Sequence, residues 1–364
     1  MTTLPPSPAD PVQRRTPLDA LDRFCRAVLS AAGADNATAD AATRAMMHGS
    51  RLGVDSHGVR LLIHYVTVLG TGRLNPRPHP RVLDAFGAVA ALDGDNGHGA
   101  LATYRAMDHA VGLAQTMGIG AVAIRNSEHF GPAGAYALAA AEAGCIGMCV
   151  CNTDSFVRLH EGAAPVHGTN PIAVGVPTGA DNPWLFDMAT SAIPYNRVLL
   201  SRSLGRTLPE GVASAPDGEG TTDPDKATML APVGGEFSYK GAGIAGFVEI
   251  LSGVFTGMKL SFDILPMMGS DMSTPRGLGA FVMAIKADAV VDMPSFHAAM
   301  QRYLATLRAS PARAGGKVLA PGDREWAEAA RRKVEGVPID PDTDEAFKEL
   351  AARYGIEPPR SVQP

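Results

Sequence analysis

Two histidines that stand beside glycines are the residues of this sequence best suited to acid–base chemistry. His57 follows Ser56 in "GVDSHGVR", and His129 lies in "RNSEHFGPAG". Imidazole exchanges a proton near neutral pH, so either ring could act as a general acid or base. Adjacent side chains such as Ser56 and His57 need not face each other, and no G-x-S-x-G motif marks a nucleophile here. The alternative at His57 is a ring that caps a turn.

The residues around His129 also predict a ligand position. This histidine follows the predicted strand "GAVAIRN" and precedes the predicted helix "AGAYALAAAEAG". Strand ends that lead into helices are common ligand positions in α/β sheets, and Gly131 permits a close approach. Thr169, before the predicted strand "NPIAVGVPT", and the segment "FDMATS" offer further hydrogen-bonding groups. Ordinary turns and caps have the same composition, however.

A G-x-G-x-x-G pattern at residues 241, 243 and 246 raises the question of a Rossmann dinucleotide site. Such a site needs a buried strand before the first glycine and an acidic residue about 20 positions later. The preceding "APVGGEFSYK" is not such a strand, and no suitable acidic residue follows. We therefore expect a closely packed helix. Lys240 at its start could bind a cofactor phosphate or ribose; the alternative is an ordinary surface lysine.

The cysteines and histidines do not indicate a metal site. Cys145, Cys149 and Cys151 lie within one apolar stretch and have no second cysteine pair elsewhere. This favours buried thiols of a strand over metal ligands. No histidine pair has the H-x-x-x-H or H-E-x-x-H spacing, so we expect no catalytic metal.

The predicted secondary structure that must position these residues differs between the middle of the chain and its two ends. From 81 to 289, short apolar runs alternate with helical patterns, which predicts an α/β core. Amphipathic helices occupy 16–80 and 290–364, and we expect the two chain ends to pack together as one mainly helical domain. Residues 1–15 are rich in proline and charge and are expected to form a disordered arm.

Composition limits the classes of function. The 364 residues are 46% hydrophobic and 19% charged, with a net charge of −5 and a pI near 6.1. This is typical of globular proteins and provides no basic field for nucleic acid. No apolar run reaches the ~18 residues of a membrane helix, and the first residues lack the apolar core of a signal peptide. We expect a cytoplasmic protein without nucleic-acid or membrane partners.

An ordered set of segments resembles the malate/L-lactate dehydrogenase family of the non-Rossmann kind, which includes ureidoglycolate and sulfolactate dehydrogenases and piperideine/pyrroline-2-carboxylate reductases. The segments are "DSHGVR", "GRLNPRP", "HFGPAGAYALAAAEAGCIG", "GTNPIAVGVP", "DMATS", "LPEG", "TTDP", "GGEFSYKGAG" and "EILSGVFTG". Each is weak alone, but the order is specific. The resemblance implies a nicotinamide-binding α/β domain that is not a Rossmann fold, a second domain built from both chain ends, and a homodimer.

The resemblance also implies roles for individual residues. His57 would be the proton donor with Ser56 beside it, although some members give this role to the histidine at position 129. Thr169 would face the substrate. An NAD or NADP cofactor would contact the positions that match the family's segments, which are His129, Phe130, Gly131, Asp187, Met188, Ala189, Tyr239, Lys240, Pro321, Gly322 and Arg324.

The sequence departs from the family at two places. Many members carry an arginine four residues after the first histidine, a natural partner for a substrate carboxylate. Here that position is Leu61, and Arg60 precedes it. The imine-reducing members carry an aspartate after "DMATS", where this chain has Asn196 and Arg197. Arg60 or Arg197 could bind the carboxylate, and both departures leave the substrate open.

These observations predict an NAD(P)-dependent oxidoreductase that transfers a hydride between nicotinamide and C2 of a small 2-oxo or 2-hydroxy acid of the malate or lactate type. The protein would supply orientation and one proton, and its partner would be a small carboxylate. Two alternatives stay open. One is a reductase of cyclic imines or N-alkyl amino acids, and the other is a family member that binds a ligand without catalysis.

Overall fold

The structure is a computed structural model that describes residues 14–203 and 205–361. Within these residues the chain forms ten α-helices, which are α1 (Leu18–Ala31), α2 (Asn36–Leu52), α3 (Leu62–Gly70), α4 (Gly99–Met117), α5 (Gly134–Glu142), α6 (Tyr195–Ser203), α7 (Ser238–Glu249), α8 (Met293–Arg308), α9 (Asp323–Glu335) and α10 (Pro341–Tyr354). The strands are β1 (Arg15–Thr16), β2 (Arg81–Phe86), β3 (Val89–Asp93), β4 (Ile119–Ser127), β5 (Cys145–Cys151), β6 (Val157–Arg158), β7 (Pro165–His167), β8 (Ile172–Val176), β9 (Trp184–Met188), β10 (Ala213–Ser214), β11 (Met229–Leu230), β12 (Leu278–Lys286) and β13 (Val337–Pro338).

A seven-stranded mixed sheet is the centre of the α/β part. Its strand order is β2-β3-β4-β12-β5-β8-β9. β3 and β4 are parallel, whereas the five other neighbouring pairs are antiparallel. A Rossmann domain has a mostly parallel, doubly wound sheet. The predicted α/β fold of another kind is therefore confirmed.

Helices cover both faces of this sheet because its central strands are apolar on both sides. α4 and α5 pack on one face, and α7 packs on the other. Glycines allow α5 to lie directly on the strands. A Cβ on Gly175 would lie 2.4 Å from the Ala137 carbonyl oxygen, and one on its cross-strand partner Gly147 would lie 2.4 Å from the Cβ of Ala140. α5 is thereby fixed against the sheet along its middle.

The helical part draws on both ends of the chain. α1, α2, α3 and α10 share one core, in which the rings of Phe24 and Phe347 lie 5.1 Å apart. β1 pairs with β13 and joins the first described residues to the C-terminal segment. α8 packs elsewhere, since the Gln301 side chain donates to the Thr178 carbonyl oxygen beside the large sheet. A four-stranded sheet, β10-β11-β6-β7, and α6 form a further small core.

Some expectations stay open at the level of the fold. The arm expected at 1–15 lies outside the described residues except for its last two, of which Arg15 belongs to β1. The domain bounds 16–80 with 290–364, and 81–289, stay a prediction. No helix in the described part of the chain has both the length and the apolar character needed to cross a membrane.

Candidate active site

A cavity of about 680 Å³ lies between the helical part and the large sheet. Two larger grooves of about 850 Å³ each contain neither His57 nor His129. The smaller cavity contains both, together with most of the other predicted site residues: Ser56, Phe130, Gly131, Thr169, Asp187, Met188, Ala189, Pro321, Gly322 and Arg324. The fold thus brings together segments that are far apart in the chain.

A short turn that folds back on α2 presents His57 to the cavity. The turn is a 3-10 helix at Asp55–His57. It lies so close to α2 that a Cβ on Gly49 would be 2.6 Å from the His57 carbonyl oxygen. Ser56 Oγ lies 2.9 Å from His57 Nδ1. The serine therefore does face its neighbouring histidine, and the bond leaves His57 Nε2 available to a ligand.

An arginine from α9 holds this turn in place. The Arg332 side chain is 4% exposed, and its guanidinium donates to the two carboxylate oxygens of Asp55 at 2.5 and 2.8 Å. It also donates to the Ser50 carbonyl oxygen at 2.6 Å and to Glu328 at 2.5 Å. Bidentate pairing of this kind fixes geometry as well as charge. The His57 turn is therefore anchored to a helix 277 residues later in the chain.

His129 lies directly beside His57. Their rings are stacked, with centroids 5.9 Å apart and planes 18° apart. His129 follows β4, and its Nδ1 lies 2.9 Å from the Tyr65 hydroxyl oxygen. The Gly131 N–H points at the same nitrogen from 3.4 Å. Nε2 is thus the ring nitrogen of His129 that remains available to a ligand.

Desolvation keeps the histidines of this region neutral. Burial lowers the pKa of His57, and burial, with smaller contributions from the neighbouring histidines and Arg276, lowers the pKa of His129 well below its usual range. Burial likewise lowers the pKa of His64 to about 4 and the pKa values of His48 and His98 to about 3. Low polarity disfavours the charged imidazolium. A neutral ring can accept a proton, and a ring protonated in this environment is a strong acid.

The sheet side of the cavity is built from strand ends. Asp187, near the end of β9, accepts a hydrogen bond from the Gly134 N–H at 2.8 Å. The surface of Asp187 opens to the cavity, and desolvation raises its pKa to about 6 although the Gly134 N–H opposes this change. Thr169 donates its N–H to Thr153 Oγ1 at 3.0 Å. This wall therefore presents hydroxyl groups and a carboxyl group that gains a proton more readily than usual.

The start of α9 closes the cavity beside β9. Gly322 has a left-handed φ of 93°, and a Cβ there would lie 3.1 Å from both Leu185 N and Trp326 Nε1. The Trp326 indole N–H donates to the Pro183 carbonyl oxygen at 2.9 Å. α9 therefore contacts the start of β9 at its first turn and the His57 turn near its end.

Two predicted substrate-binding arginines do not line the cavity. The Arg60 side chain is 53% exposed, and its guanidinium lies 3.4 Å from Asp340 and 3.7 Å from Asp342. Arg197 is exposed on α6, a helix that follows the cavity-lining Pro194. Arg60 is thus engaged at the outer surface, whereas Arg197 is exposed three residues after a residue of the cavity lining.

The predicted cofactor residues Tyr239 and Lys240 also lie outside the cavity lining. Both stand in the first turn of α7, where the Lys240 ammonium group is 5.4 Å from the centre of the Phe237 ring. The glycines of the G-x-G-x-x-G pattern lie within the same helix. A Cβ on Gly241 would lie 2.1 Å from the Val233 carbonyl oxygen. Gly241 therefore serves close packing, whereas a Cβ on Gly243 would meet no atom within 4 Å and one on Gly246 would meet only His167 Cε1, at 3.9 Å. The pattern lies inside a helix and is not a Rossmann turn.

The residues that hold the two histidines stand in no recognisable sequence motif. Tyr65 has the pattern of a core residue in an amphipathic helix, and Arg332 has that of a surface residue. Glu128 directly precedes His129 and belongs to this group as well. Its carboxylate accepts from the His129 N–H at 3.0 Å and from buried Arg276 at 3.0 Å, and Arg276 also donates to Asp154. An acidic residue beside a candidate histidine was the one local signal.

The cysteines are buried, as predicted. Cys145, Cys149 and Cys151 lie in β5, and all four cysteines are free thiols. Among the residues that the structure describes, no group of three or more histidine, cysteine, aspartate or glutamate side chains could hold a metal ion.

Comparison with known proteins identifies the family. A sequence profile of the malate/L-lactate dehydrogenase family matches residues 16–348. The chain belongs to this family. It is 32% identical to malate dehydrogenase of Pyrococcus horikoshii over 351 residues, which cover 94% of this chain and 96% of that protein. A solved malate dehydrogenase structure from the same organism matches with a TM-score of 0.88, covering 97% of this chain and 99% of the other.

Two other relatives widen the range of substrates within the family. Ureidoglycolate dehydrogenase (NAD(+)) of Escherichia coli K12 is 30% identical over 312 residues, which cover 85% of this chain and 88% of that protein. The structure of Δ1-piperideine-2-carboxylate reductase from Pseudomonas syringae is 27% identical with a TM-score of 0.82, and the match covers 93% of this chain and 100% of the other. The chain is thus an oxidoreductase of this dehydrogenase family.

Proposed function

We propose that this dehydrogenase transfers a hydride between nicotinamide and C2 of a small 2-oxo or 2-hydroxy acid in the cavity described above. One observation carries the proposal. The stacked rings of His57 and His129, 5.9 Å apart, share a cavity with the family segment at 187–189. This arrangement provides a proton-exchanging group beside a place for the cofactor.

The cavity lining suits a nicotinamide cofactor. A volume of about 680 Å³ lies within the range of small-molecule sites. We assign cofactor binding to His129, Phe130 and Gly131, to Asp187, Met188 and Ala189, and to Pro321, Gly322 and Arg324. When bound, the nicotinamide supplies or accepts the hydride. Tyr239 and Lys240 are not part of this assignment because they lie outside the lining. NAD and NADP both remain candidates.

One of the two stacked histidines exchanges the proton. In the oxidation direction the neutral ring accepts the hydroxyl proton of the substrate, and in the reduction direction the protonated ring returns it to the new alkoxide. Desolvation favours the neutral ring, so the site is ready to act as a base. Ser56 orients the His57 ring through its bond to Nδ1.

Arg197 and Thr169 are our candidates for binding the substrate. Thr169 lines the cavity. Arg197 follows the cavity-lining Pro194 and makes no ion pair with a described residue, so its guanidinium is available for a carboxylate. Arg60 is not assigned to the substrate because Asp340 and Asp342 already face it.

Reduction of a cyclic imine is the second candidate function. The structural match to Δ1-piperideine-2-carboxylate reductase supports it, because the same cavity could accept a C=N bond in place of C=O. The two substrates need the same hydride and one proton.

We further propose a homodimer in which a second copy covers the outer face of α7 and the π-helix that follows it, Ile250–Val254. This face exposes large apolar side chains, which are Ile244, Phe247, Ile250, Val254 and Phe255. Apolar patches of this kind mark protein–protein contacts. Phe247→Glu is expected to yield monomers by sedimentation analysis. A cytoplasmic location is part of the proposal and is supported by four free thiols.

The proposed function is tested by measuring the oxidation of NADH or NADPH by the purified enzyme with a panel of 2-oxo acids and cyclic imines. We expect turnover with at least one 2-oxo acid or one cyclic imine. Replacing the acid–base histidine by glutamine is expected to lower kcat about 10²–10⁴-fold. Energy transfer from Trp184 and Trp326, the two tryptophans of the chain, to NADH reports cofactor binding independently. Absence of both turnover and energy transfer would refute the proposal.

A further inference from the structure

The Tyr65 hydroxyl lies behind the cavity and faces Nδ1 of His129. The Tyr65 side chain is 1% exposed, and its hydroxyl oxygen is 2.9 Å from that nitrogen. Among the described residues, Nδ1 of His129 is the one hydrogen-bond partner of this hydroxyl. A buried hydroxyl hydrogen without an acceptor is costly. The Tyr65 hydroxyl therefore donates to Nδ1.

A second donor faces the same ring nitrogen. The Gly131 N–H points at Nδ1 from 3.4 Å, and a backbone N–H can only donate. Both groups use the Nδ1 lone pair, so neither tolerates a hydrogen on Nδ1. A neutral imidazole carries one N–H. The hydrogen of neutral His129 consequently lies on Nε2, the nitrogen that remains available to a ligand.

We propose that Tyr65 and Gly131 hold His129 as the Nε2–H tautomer, so that this ring is a neutral hydrogen-bond donor to a substrate oxygen and leaves the proton exchange to His57. The inference rests on the proposed function in one respect, namely that the substrate binds in this cavity. It gives the two stacked rings different roles.

A ring in this tautomer does not take up the substrate proton. The Nδ1 lone pair of His129 is engaged by Tyr65 and Gly131, and Nε2 already carries a hydrogen. A further proton on Nδ1 would face both donors directly. Desolvation, with smaller contributions from the neighbouring histidines and Arg276, lowers the pKa of His129 well below its usual range. The ring therefore stays neutral and donates.

The surroundings of His57 leave its tautomer free. Its Nδ1 faces the Ser56 hydroxyl at 2.9 Å, and a hydroxyl can accept as well as donate. Among the described residues, no second donor faces this nitrogen. The neighbouring Asp55 is engaged by Arg332, and burial lowers the pKa of His57. With its hydrogen on Nδ1, His57 offers an Nε2 lone pair to the substrate hydroxyl.

The proton balance separates the two roles. In reduction, C2 gains a hydride, the Nε2–H bond of the His57 imidazolium breaks, and the substrate oxygen gains that proton. In oxidation, Nε2 of neutral His57 takes the hydroxyl proton while C2 loses a hydride. His129 keeps its Nε2–H bond in both directions. A donor placed where negative charge develops on oxygen stabilises the transition state.

Nitrogen-15 NMR of histidine-labelled protein at neutral pH tests the tautomer without any substrate. The His129 signals are assigned by their loss in His129→Gln. We expect a hydrogen on Nε2 and none on Nδ1 in the wild type. Tyr65→Phe should keep this tautomer, because the Gly131 N–H still faces Nδ1, but should shift the Nδ1 signal. Tyr104→Phe, a buried tyrosine outside the cavity lining, should change neither.

Two NMR results would each overturn the proposal. One is a hydrogen on Nδ1 of His129 in the wild type, whether in the other tautomer or in an imidazolium. The other is an Nδ1 signal that does not move in Tyr65→Phe, because the hydroxyl would then not donate to this nitrogen.

Paired substitutions of the two histidines give the second test. Glutamine keeps an N–H donor but exchanges no proton near neutral pH. His57→Gln should therefore lower kcat about 10²–10⁴-fold and remove the limb of the pH profile that reports a histidine. His129→Gln should lower kcat by no more than about ten-fold and keep this limb, whereas His129→Leu, which lacks a donor, should lower kcat about 10²-fold.

The opposite ranking would contradict these roles. Loss of the pH limb in His129→Gln, or kcat equal in His129→Gln and His129→Leu, would count against a neutral donor at this position. A wild type that turns over no 2-oxo acid and no cyclic imine refutes the proposed function, and the NMR result then decides the tautomer by itself.

Discussion

The two stacked histidines share one cavity but are held by structures of different kinds. His129 stands at the end of β4, a strand with neighbours on both sides. His57 stands in a 3-10 turn that depends on the bond between Asp55 and Arg332. A strand end is fixed by its backbone ladder, whereas such a turn is fixed by the side chains that touch it. The comparison teaches that the helical wall of the cavity is the more sensitive to a remote substitution.

Arg332→Met should have the largest effect, because it removes the anchor of the His57 turn. The Ser50 carbonyl oxygen loses its donor, Asp55 loses its cation, and Glu328 keeps only Arg331. We expect the free energy of unfolding to fall by about 1–3 kcal/mol, measured by urea denaturation. We also expect kcat to fall about ten-fold, because small displacements of a catalytic group are costly.

Arg331→Met is the matched control on the same helix. Arg331 is half-exposed and pairs with Glu328 and Glu335, so its loss should cost less than about 1 kcal/mol and leave kcat unchanged. If Arg332→Met lowered stability without lowering kcat, the turn would not need this anchor.

The Asp187→Asn variant tests the desolvation of Asp187, on the sheet side of the cavity, through the pH dependence of stability. Desolvation raises the pKa of Asp187 from 3.8 to about 6, so the folded state binds its proton more tightly than the unfolded state. The resulting contribution to stability is fully present below 3.8 and is lost as pH rises through about 6. Relative to Asp187→Asn, the wild type should therefore become less stable as pH rises across this window.

Urea midpoints measured across the window check this prediction. Asp323→Asn provides the opposite case, because its bond to Arg308 lowers the pKa of Asp323. The wild type should lose stability relative to Asp323→Asn as pH falls. Parallel curves for the wild type and Asp187→Asn would contradict the desolvation of Asp187.

Arg60→Ala should have the smallest effect, because Arg60 lies on the outer side of the helical wall. We expect KM to change by less than about two-fold and stability by less than about 1 kcal/mol. Arg197→Ala, in contrast, should raise KM about ten-fold if its guanidinium binds the carboxylate. A large rise in KM for Arg60→Ala alone would reverse the assignment of the two arginines.

Features that depend on neighbouring residues could be predicted from the sequence, whereas contacts between residues far apart in the chain could not. His57 and His129 could be found because each stands in a short motif beside glycine, and the packing role of Gly241 followed from the residues that precede it. The antiparallel pairing of β12 between β4 and β5 joins segments more than 120 residues apart, and no local pattern encodes such a partner. Arg60 was a reasonable carboxylate partner by its position, but it is engaged by the C-terminal acidic residues.

The sequence by itself determined the family, the α/β class and the two histidines, because motifs and hydrophobic periodicity act over a few neighbouring residues. Tertiary structure alone decided that the histidine rings stack, that Tyr65 meets Nδ1 of His129, and that Arg332 holds the His57 turn. Tyr65 and His129 are separated by 64 positions in the chain, and Asp55 and Arg332 by 277. Their existence depends on how helices and sheet pack in three dimensions, which the spacing of residues along the chain does not specify.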